Sequence, residues 1–344
     1  MRTGVRLSLA AAAAVALAVA CASFVPTEFT GFEWQPPSAE ATAPAVRAPR
    51  EACADRAPER RALFGDLHVH TGYSFDAASR GVVTTPDDAY RFARGEAIDL
   101  GPFDAQGRGT RTARLERPLD FAAVTDHAEW LAEVALCTRP DSPAYDSTPC
   151  RVYRDEQRSL GTFVLRALGA GQFARAFSIV ELGGRKAALC GDDGSLCRAW
   201  AGRVWQETRE AAERHQDRSS ACAFTTFQAW EYSRSPGQSK VHRNVVLRNE
   251  IAPELPISFI DAPTALDLWE KLDARCNSTD SGCEAIAIPH NPNLSNGRMF
   301  TVEGLDASLD EQARRARLRA RMEPVVEMTQ VKGDSECAPG RPDV

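Results

Sequence analysis

Gly65-Asp66-Leu67-His68-Val69-His70-Thr71 follows a short apolar stretch, Ala62 to Phe64. On a β-strand, side chains at i and i+2 point to the same side. His68 and His70 therefore present two imidazoles at one strand end, and imidazole is the commonest neutral metal ligand at physiological pH. The chain has only six histidines, so where the other four fall decides what the pair means.

The 344 residues are 43% hydrophobic and 26% charged, an ordinary globular balance. A net charge of −6 gives no support for nucleic acid or an anionic membrane as partner. Arg2 and Arg6 followed by apolar Leu7 to Ala20 read as an export signal, residues 1–20. Cys21 behind Ala18-Val19-Ala20 is a lipidation candidate, as in bacterial lipoproteins; ordinary cleavage beside an incidental cysteine is the main alternative and an uncleaved anchor a third. Residues 21–60 read as a flexible tether, Ala-, Pro- and Arg-rich from 35 on. The expected location is exported: periplasmic, or held at an envelope membrane only through that lipid anchor.

Nine cysteines beyond Cys21 favour disulfides in such a compartment. Cys137 with Cys150, Cys190 with Cys197, and Cys276 with Cys283 are close pairs. Closing such short loops contributes about 2–3 kcal/mol in the chain-entropy description. Zinc is the alternative, but the spacing is not CxxC. Cys53, Cys222 and Cys337 are left over, an odd number, so at least one is expected free or partnerless.

Six apolar runs (62–68, 119–125, 222–231, 241–248, 284–289 and 324–330) read as strands. Helical patterns cover Pro86 to Phe92, 151–169, 198–215, 263–274 and 307–322, while 99–118 reads as a loop or hairpin excursion and 132–200 as an insertion. Strands alternating with helices argue for a parallel α/β fold, barrel-like or doubly wound. Arg314, Arg315, Arg317, Arg319 and Arg321 on the last helix read as a solvated outer face rather than a nucleic-acid surface.

Residues with metal-binding chemistry collect at the strand ends. Asp126-His127 ends the second run, Glu231 the third and His290 the fifth, while His242 begins the fourth; only His215 falls elsewhere. In a parallel α/β barrel, C-terminal strand ends converge on one mouth. Neutral imidazoles with one or two carboxylates suit Zn²⁺, Mn²⁺ or Fe²⁺. Singly, each residue has a structural alternative: Glu231 as an ion-pair partner of Arg234 or Arg243, Asp76 as a turn or helix cap, Asp126 as an orienter of a neighbouring imidazole.

Asp66-Leu-His-Val-His-Thr71 followed by Thr125-Asp-His127 resembles the first two motifs of the PHP (polymerase and histidinol phosphatase) superfamily. More closely the chain resembles an uncharacterised bacterial branch, a domain of unknown function. That resemblance is carried by Phe64-Gly-Asp-Leu-His-Val-His-Thr71, Ser74-Phe-Asp-Ala77, Thr125-Asp-His-Ala-Glu129, His242-Arg-Asn-Val245, Ile288-Pro-His-Asn-Pro-Asn-Leu-Ser-Asn-Gly297 and Lys332-Gly-Asp-Ser-Glu336. It implies a distorted seven-stranded (β/α)7 barrel with two or three divalent ions at the strand ends, and hydrolysis of phosphoester bonds in a small-molecule substrate. Within it, His68 and His70 would hold one ion, His242 and His290 a second, and Glu231 would bridge them. His127 would serve a third ion or the substrate phosphate, with Asp126 in the catalytic set and Asp76 as a further ligand. From position and chemistry, Arg243, Asn291 and Asn293 are expected to hydrogen-bond phosphate.

The superfamily usually ends in an Asp-x-His motif, and here His290 is the last histidine. The expectation is a domain over 61–344 that is C-terminally incomplete, its barrel lacking its last strand or strands, unless the branch completes its site otherwise. Two rival readings stand beside the phosphoesterase: a metallohydrolase of amide or carboxylic ester bonds, and a degenerate, non-catalytic metal-binding protein.

Overall fold

The histidine pair ends a strand, β1 (Gly65–Val69), as its apolar lead-in requires. The computed structural model describes residues 41–42, 49–56, 58–104, 106–154, 171–181, 184–301, 306–330 and 333–335. The export signal, Cys21, most of the 21–60 tether, residues 155–169 of the expected helix, Lys332, Glu336 and Cys337 lie outside the described residues.

After β1 come α1 (Phe75–Ser79) and α2 (Pro86–Ala93), then a hairpin of β2 (Ile98–Phe103) and β3 (Gly109–Ala113), and then β4 (Phe121–Val124). A helical stretch follows: α3 (Leu131–Thr138), α4 (Thr148–Tyr153), α5 (Gly171–Ile179), α6 (Ala187–Cys190) and α7 (Ser195–His215). The chain continues through β5 (Thr225–Tyr232), β6 (Arg243–Leu247), α8 (Ala265–Leu272), β7 (Ala285–Pro289) and α9 (Leu309–Met322). It ends in a small hairpin of β8 (Thr329–Gln330) and β9 (Gly333–Asp334). Local chemistry starts the helices where expected: Thr85 with Asp88 and Thr264 with Asp267 form capping boxes at α2 and α8, and Pro86 opens α2.

Five strands form one sheet in the order β1–β4–β5–β6–β7. β1, β4 and β5 run parallel, but β6 is antiparallel to both β5 and β7. This corrects the expected (β/α)7 barrel: among the described residues the sheet is mixed and open, with β1 and β7 as its edges. The turn of direction has a simple cause. Only residues 233–242 separate β5 from β6, and a parallel crossover needs about a dozen residues or more. The run 324–330 is no sixth strand of this sheet. Pro324 cannot donate to a ladder, and the contact with β7 is one bond, Glu327 N to Pro289 O at 3.0 Å.

Strand alternation sorts the sheet's two faces. Trp230, Tyr232, Val245, Leu247, Ala285 and Ala287 pack with α8 and α9 into one buried cluster. Ala122 and Val124 pack against α2 and α7. The opposite face carries Ala123, Ala229, Val246 and Ile288, flanked by Leu67, Phe227 and Ile286. The sheet curls around this face: Asn244 Nδ2 on β6 reaches Leu67 O on the edge strand at 3.1 Å, although β4 and β5 stand between them in the order.

The described residues of the expected insertion are largely helical, and Leu136, Tyr153 and Leu189 among them cluster with Val204 of α7. All three expected disulfides are present, and Cys53 pairs with Cys222 as a fourth across 169 residues. It joins two of the three cysteines to which the spacing assigned no partner; the third, Cys337, lies outside the described residues. Disulfides in this number are the usage of an oxidising compartment. No described helix is long and apolar enough to cross a membrane.

Because Cys53–Cys222 closes so long a loop, replacing both cysteines by serine is expected to lower unfolding free energy by about 2–5 kcal/mol. Guanidinium unfolding under non-reducing conditions checks this.

Candidate metal centre

Strand direction brings the chemistry to one place. β1, β4, β5 and β7 end where antiparallel β6 begins, so His70, His127, Glu231, His242 and His290 share one pole of the sheet. Backbone bonds fix the junction: Ala128 N donates to Glu231 O at 2.9 Å, Glu231 N to Asp126 O at 3.0 Å, and His290 N to His242 O at 3.2 Å.

Glu231 lies at the centre, with 1% of its side chain exposed. Its two oxygens face different partners. Oε2 lies 2.8 Å from His70 Nε2 and 3.3 Å from His68 Nε2. Oε1 lies 2.7 Å from His242 Nδ1 and 3.1 Å from His290 Nε2, and accepts from Ser233 Oγ at 3.0 Å. Outside this core, His70 Nδ1 is 3.1 Å from Asp76 Oδ1 and His68 Nδ1 is 2.7 Å from Glu327 Oε2. His127 Nδ1 meets Ser233 Oγ, and its Nε2 stands 3.6 Å from Asp76 Oδ1.

The electrostatics follow from burial set against these contacts. Burial alone would raise the Glu231 pKa, but the surrounding imidazoles, His127 and His290 first, hold it well below the usual carboxylate range. Burial pulls His68 and His70 down, and their carboxylate partners outweigh it: His68 rises to about 9 and His70 well above its ordinary value. His127 and His290 go the other way, dominated by burial, His127 to about 3. Asp76, partly buried, is held well below its ordinary value by His70 and His127.

Several triads bring one ligand atom each within 4.8 Å of one another: His68, His70 and Glu231; Glu231, His242 and His290; His70, Asp76 and His127; and His68, His290 and Glu327. These groups can hold a metal ion, and mixed imidazole–carboxylate donors suit borderline divalent cations. Glu133, Cys190 and Cys197 also converge, but the two cysteines form a disulfide and offer no thiolate. A cleft of about 720 Å³ opens beside the cluster, lined by His68, His70, Asp76, Asn244, Ile288, Val325, Glu327 and Gln330 among others.

Seven expected ligands, His68, His70, Asp76, His127, Glu231, His242 and His290, thus come together, and four other expected site residues do not join them. Asp126 accepts from Thr71 N at 2.5 Å and Thr71 Oγ1 at 2.7 Å, so it ties the turn after β1 to the end of β4. Burial lifts its pKa to about 6, and it belongs to none of the triads. Arg243 is buried, its guanidinium on Glu323 and on the carbonyl of Val241, so it is spent on structure. Asn291 Oδ1 accepts from Gln330 Nε2 at 3.0 Å, and Asn293 Nδ2 donates to Asp334 O at 3.3 Å. Both hold the β8–β9 hairpin against the loop after β7.

Ser233 and Glu327 escaped the sequence reading. Ser233 is two residues beyond Glu231, on the same face of the strand's end, and that spacing was a usable signal. Glu327 sat in a run read as an apolar strand, where a single acidic residue stands out only once its neighbours in space are known.

Residues 57–341 match the family described as "Protein of unknown function (DUF3604)", and the chain belongs to that family. No curated protein and no solved structure matches it.

Two outcomes are expected. Arg243→Met removes the buried cation on Glu323, leaving that carboxylate to Arg319 and the Trp269 indole, and should cost up to about 3–5 kcal/mol of stability, measured by denaturant unfolding. Mn²⁺ or Zn²⁺ at a hundredfold its dissociation constant should stabilise the chain by about 2.7 kcal/mol. Thermal unfolding with and without chelator should lose that difference in Glu231→Gln.

Proposed function

We propose that the protein is an exported, metal-dependent hydrolase of phosphoester bonds in small molecules, using two or three divalent ions of the Zn, Mn or Fe type. The observation that carries this reading is the division of labour on Glu231: His68 and His70 face one oxygen, His242 and His290 the other. A carboxylate shared in this way suits two cations about 3.5–4 Å apart. The resemblance to PHP motifs adds the phosphoester chemistry, and the signal-like N-terminus with four disulfides supports export.

Ions held there would polarise a phosphoryl oxygen, acidify water and neutralise the leaving group. The chain's own residues hold and position. Asp76 fixes His70 through Nδ1, leaving Nε2 for the Glu231 side. Ser235 Oγ, 2.9 Å from His242 Nε2, leaves Nδ1 for Glu231. Such outer partners set the tautomer and ring angle of a ligating imidazole. His127, neutral by burial, is suited to ligation rather than to proton donation. Leu67, Ile288 and Val325 give the cleft an apolar side for the rest of a substrate.

One observation favours a second reading. Arg243, Asn291 and Asn293, the side chains expected to meet phosphate, do not line the cleft. A neutral amide or carboxylic ester needs no such anion contacts.

The test is hydrolysis by the chelator-free protein of a panel of phosphomonoesters, phosphodiesters, amides and carboxylic esters, with and without added Mn²⁺ or Zn²⁺. Metal-stimulated phosphoester cleavage is expected, with kcat at least about 100-fold lower in His242→Ala. Metal-stimulated cleavage of amides or carboxylic esters alone would select the second reading. No bound metal and no turnover would remove both.

A further inference from the structure

Glu327 lies at the cleft, outside every expected ligand set. Its Oε2 is 2.7 Å from His68 Nδ1. Together with His68 and His290 it brings three ligand atoms within 4.8 Å of one another. The position is built rather than incidental. Gln330 Nε2 donates to the other oxygen, Oε1, at 2.7 Å, and also to Asn291 Oδ1 at 3.0 Å. The backbone of Glu327 is held by its bond to Pro289 O. An amide that occupies one carboxylate oxygen and anchors to the loop carrying the next ligand fixes the direction of the free oxygen.

His290 supplies an independent observation. Its Nε2 faces Glu231, while Nδ1 is buried with no hydrogen-bond partner. Buried ring nitrogens are seldom left unmatched, and a metal-ligating histidine normally engages its second nitrogen as well. The His68 and His290 rings lie 4.2 Å apart, so both imidazoles border the space that Glu327 faces.

We infer that Glu327 is a metal-ligating residue, giving a carboxylate oxygen to a cleft-side ion that it shares with His68 and His290, each neutral imidazole serving a single ion through one nitrogen, with Gln330 as its positioning residue. This rests on the metal-centre reading of the Glu231 cluster. It places one ligand on the segment after α9, beyond the last histidine. It also couples the β8–β9 hairpin to the ion through Gln330. A plain ion pair between Glu327 and a cationic His68 is the competing account.

The experiment measures metal content per chain of the full-length protein purified without chelator, then affinity by competition of Mn²⁺ and Zn²⁺ with a chromophoric chelator. Glu327→Gln keeps size and can still accept from Gln330. It is expected to lose one bound equivalent, or to weaken one binding step by 10- to 100-fold, with the circular dichroism of the metal-free form unchanged. Gln330→Leu, which leaves the carboxylate but frees it, should weaken the same step by less. If Glu327→Gln retains the wild-type stoichiometry and affinity while Glu231→Gln loses metal, this assignment fails and the cluster reading stands. If the wild type itself takes up no metal, both fail.

Discussion

A fully buried carboxylate cannot stand alone. Moving an ion of that size out of water costs several kcal/mol even after relaxation, so Glu231 dictates what surrounds it. Four imidazoles from β1 and the turn after it, the loop before β6 and the end of β7 meet its two oxygens, and Ser233 adds a hydroxyl. The backbone answers the same demand. Glu231 N and O are both bonded into the Asp126–Ala128 segment, so the residue that carries the charge is also a joint between two strands. Below it the sheet presents Ala123 and Ala229, side chains small enough for the curled face to close in.

The site's residues were legible because strand ends are readable and histidines are few. The i, i+2 spacing of His68 and His70, and the positions of His127, Glu231 and His290 after apolar runs, required only that the runs be strands. His242 was the informative exception, since it starts its run. In an all-parallel sheet it would lie at the wrong pole; only an antiparallel β6 returns it to the others, and the ten residues of 233–242 already allowed nothing else. The barrel was inferred from the alternation of helices and strands, a pattern that a mixed open sheet also produces.

Chemistry without burial misled at Arg243. An arginine beside a ligand-like histidine suits phosphate, but the strand's alternation turns Arg243 away from Asn244 and Glu231, towards Glu323. Burial then makes the ion pair obligatory. Asn291 and Asn293 are polar for a local reason too, since a left-handed turn at Asn291 and a neighbouring hairpin need side-chain bonds. Long-range contacts such as Glu327 with His68 leave no local trace. The grouping of ligands therefore does not depend on the architecture first expected around it, in keeping with the general rule that function resides in sites grafted onto folds.

The Cys53–Cys222 bridge sits at the other end of the molecule from the imidazoles. Cys222 stands three residues before β5, at its N-terminal end, while Glu231 stands near the C-terminal end of the same strand. Residues 51 and 54 are bonded to 218 and 220 beside that bridge, and the short pairing of Ala41–Thr42 with Ala252–Pro253 follows the far end of β6. The incoming chain is thus moored three times at the pole opposite the cluster. Tension applied upstream would be borne by the covalent staple and the base of the sheet, at the end of β5 away from Glu231.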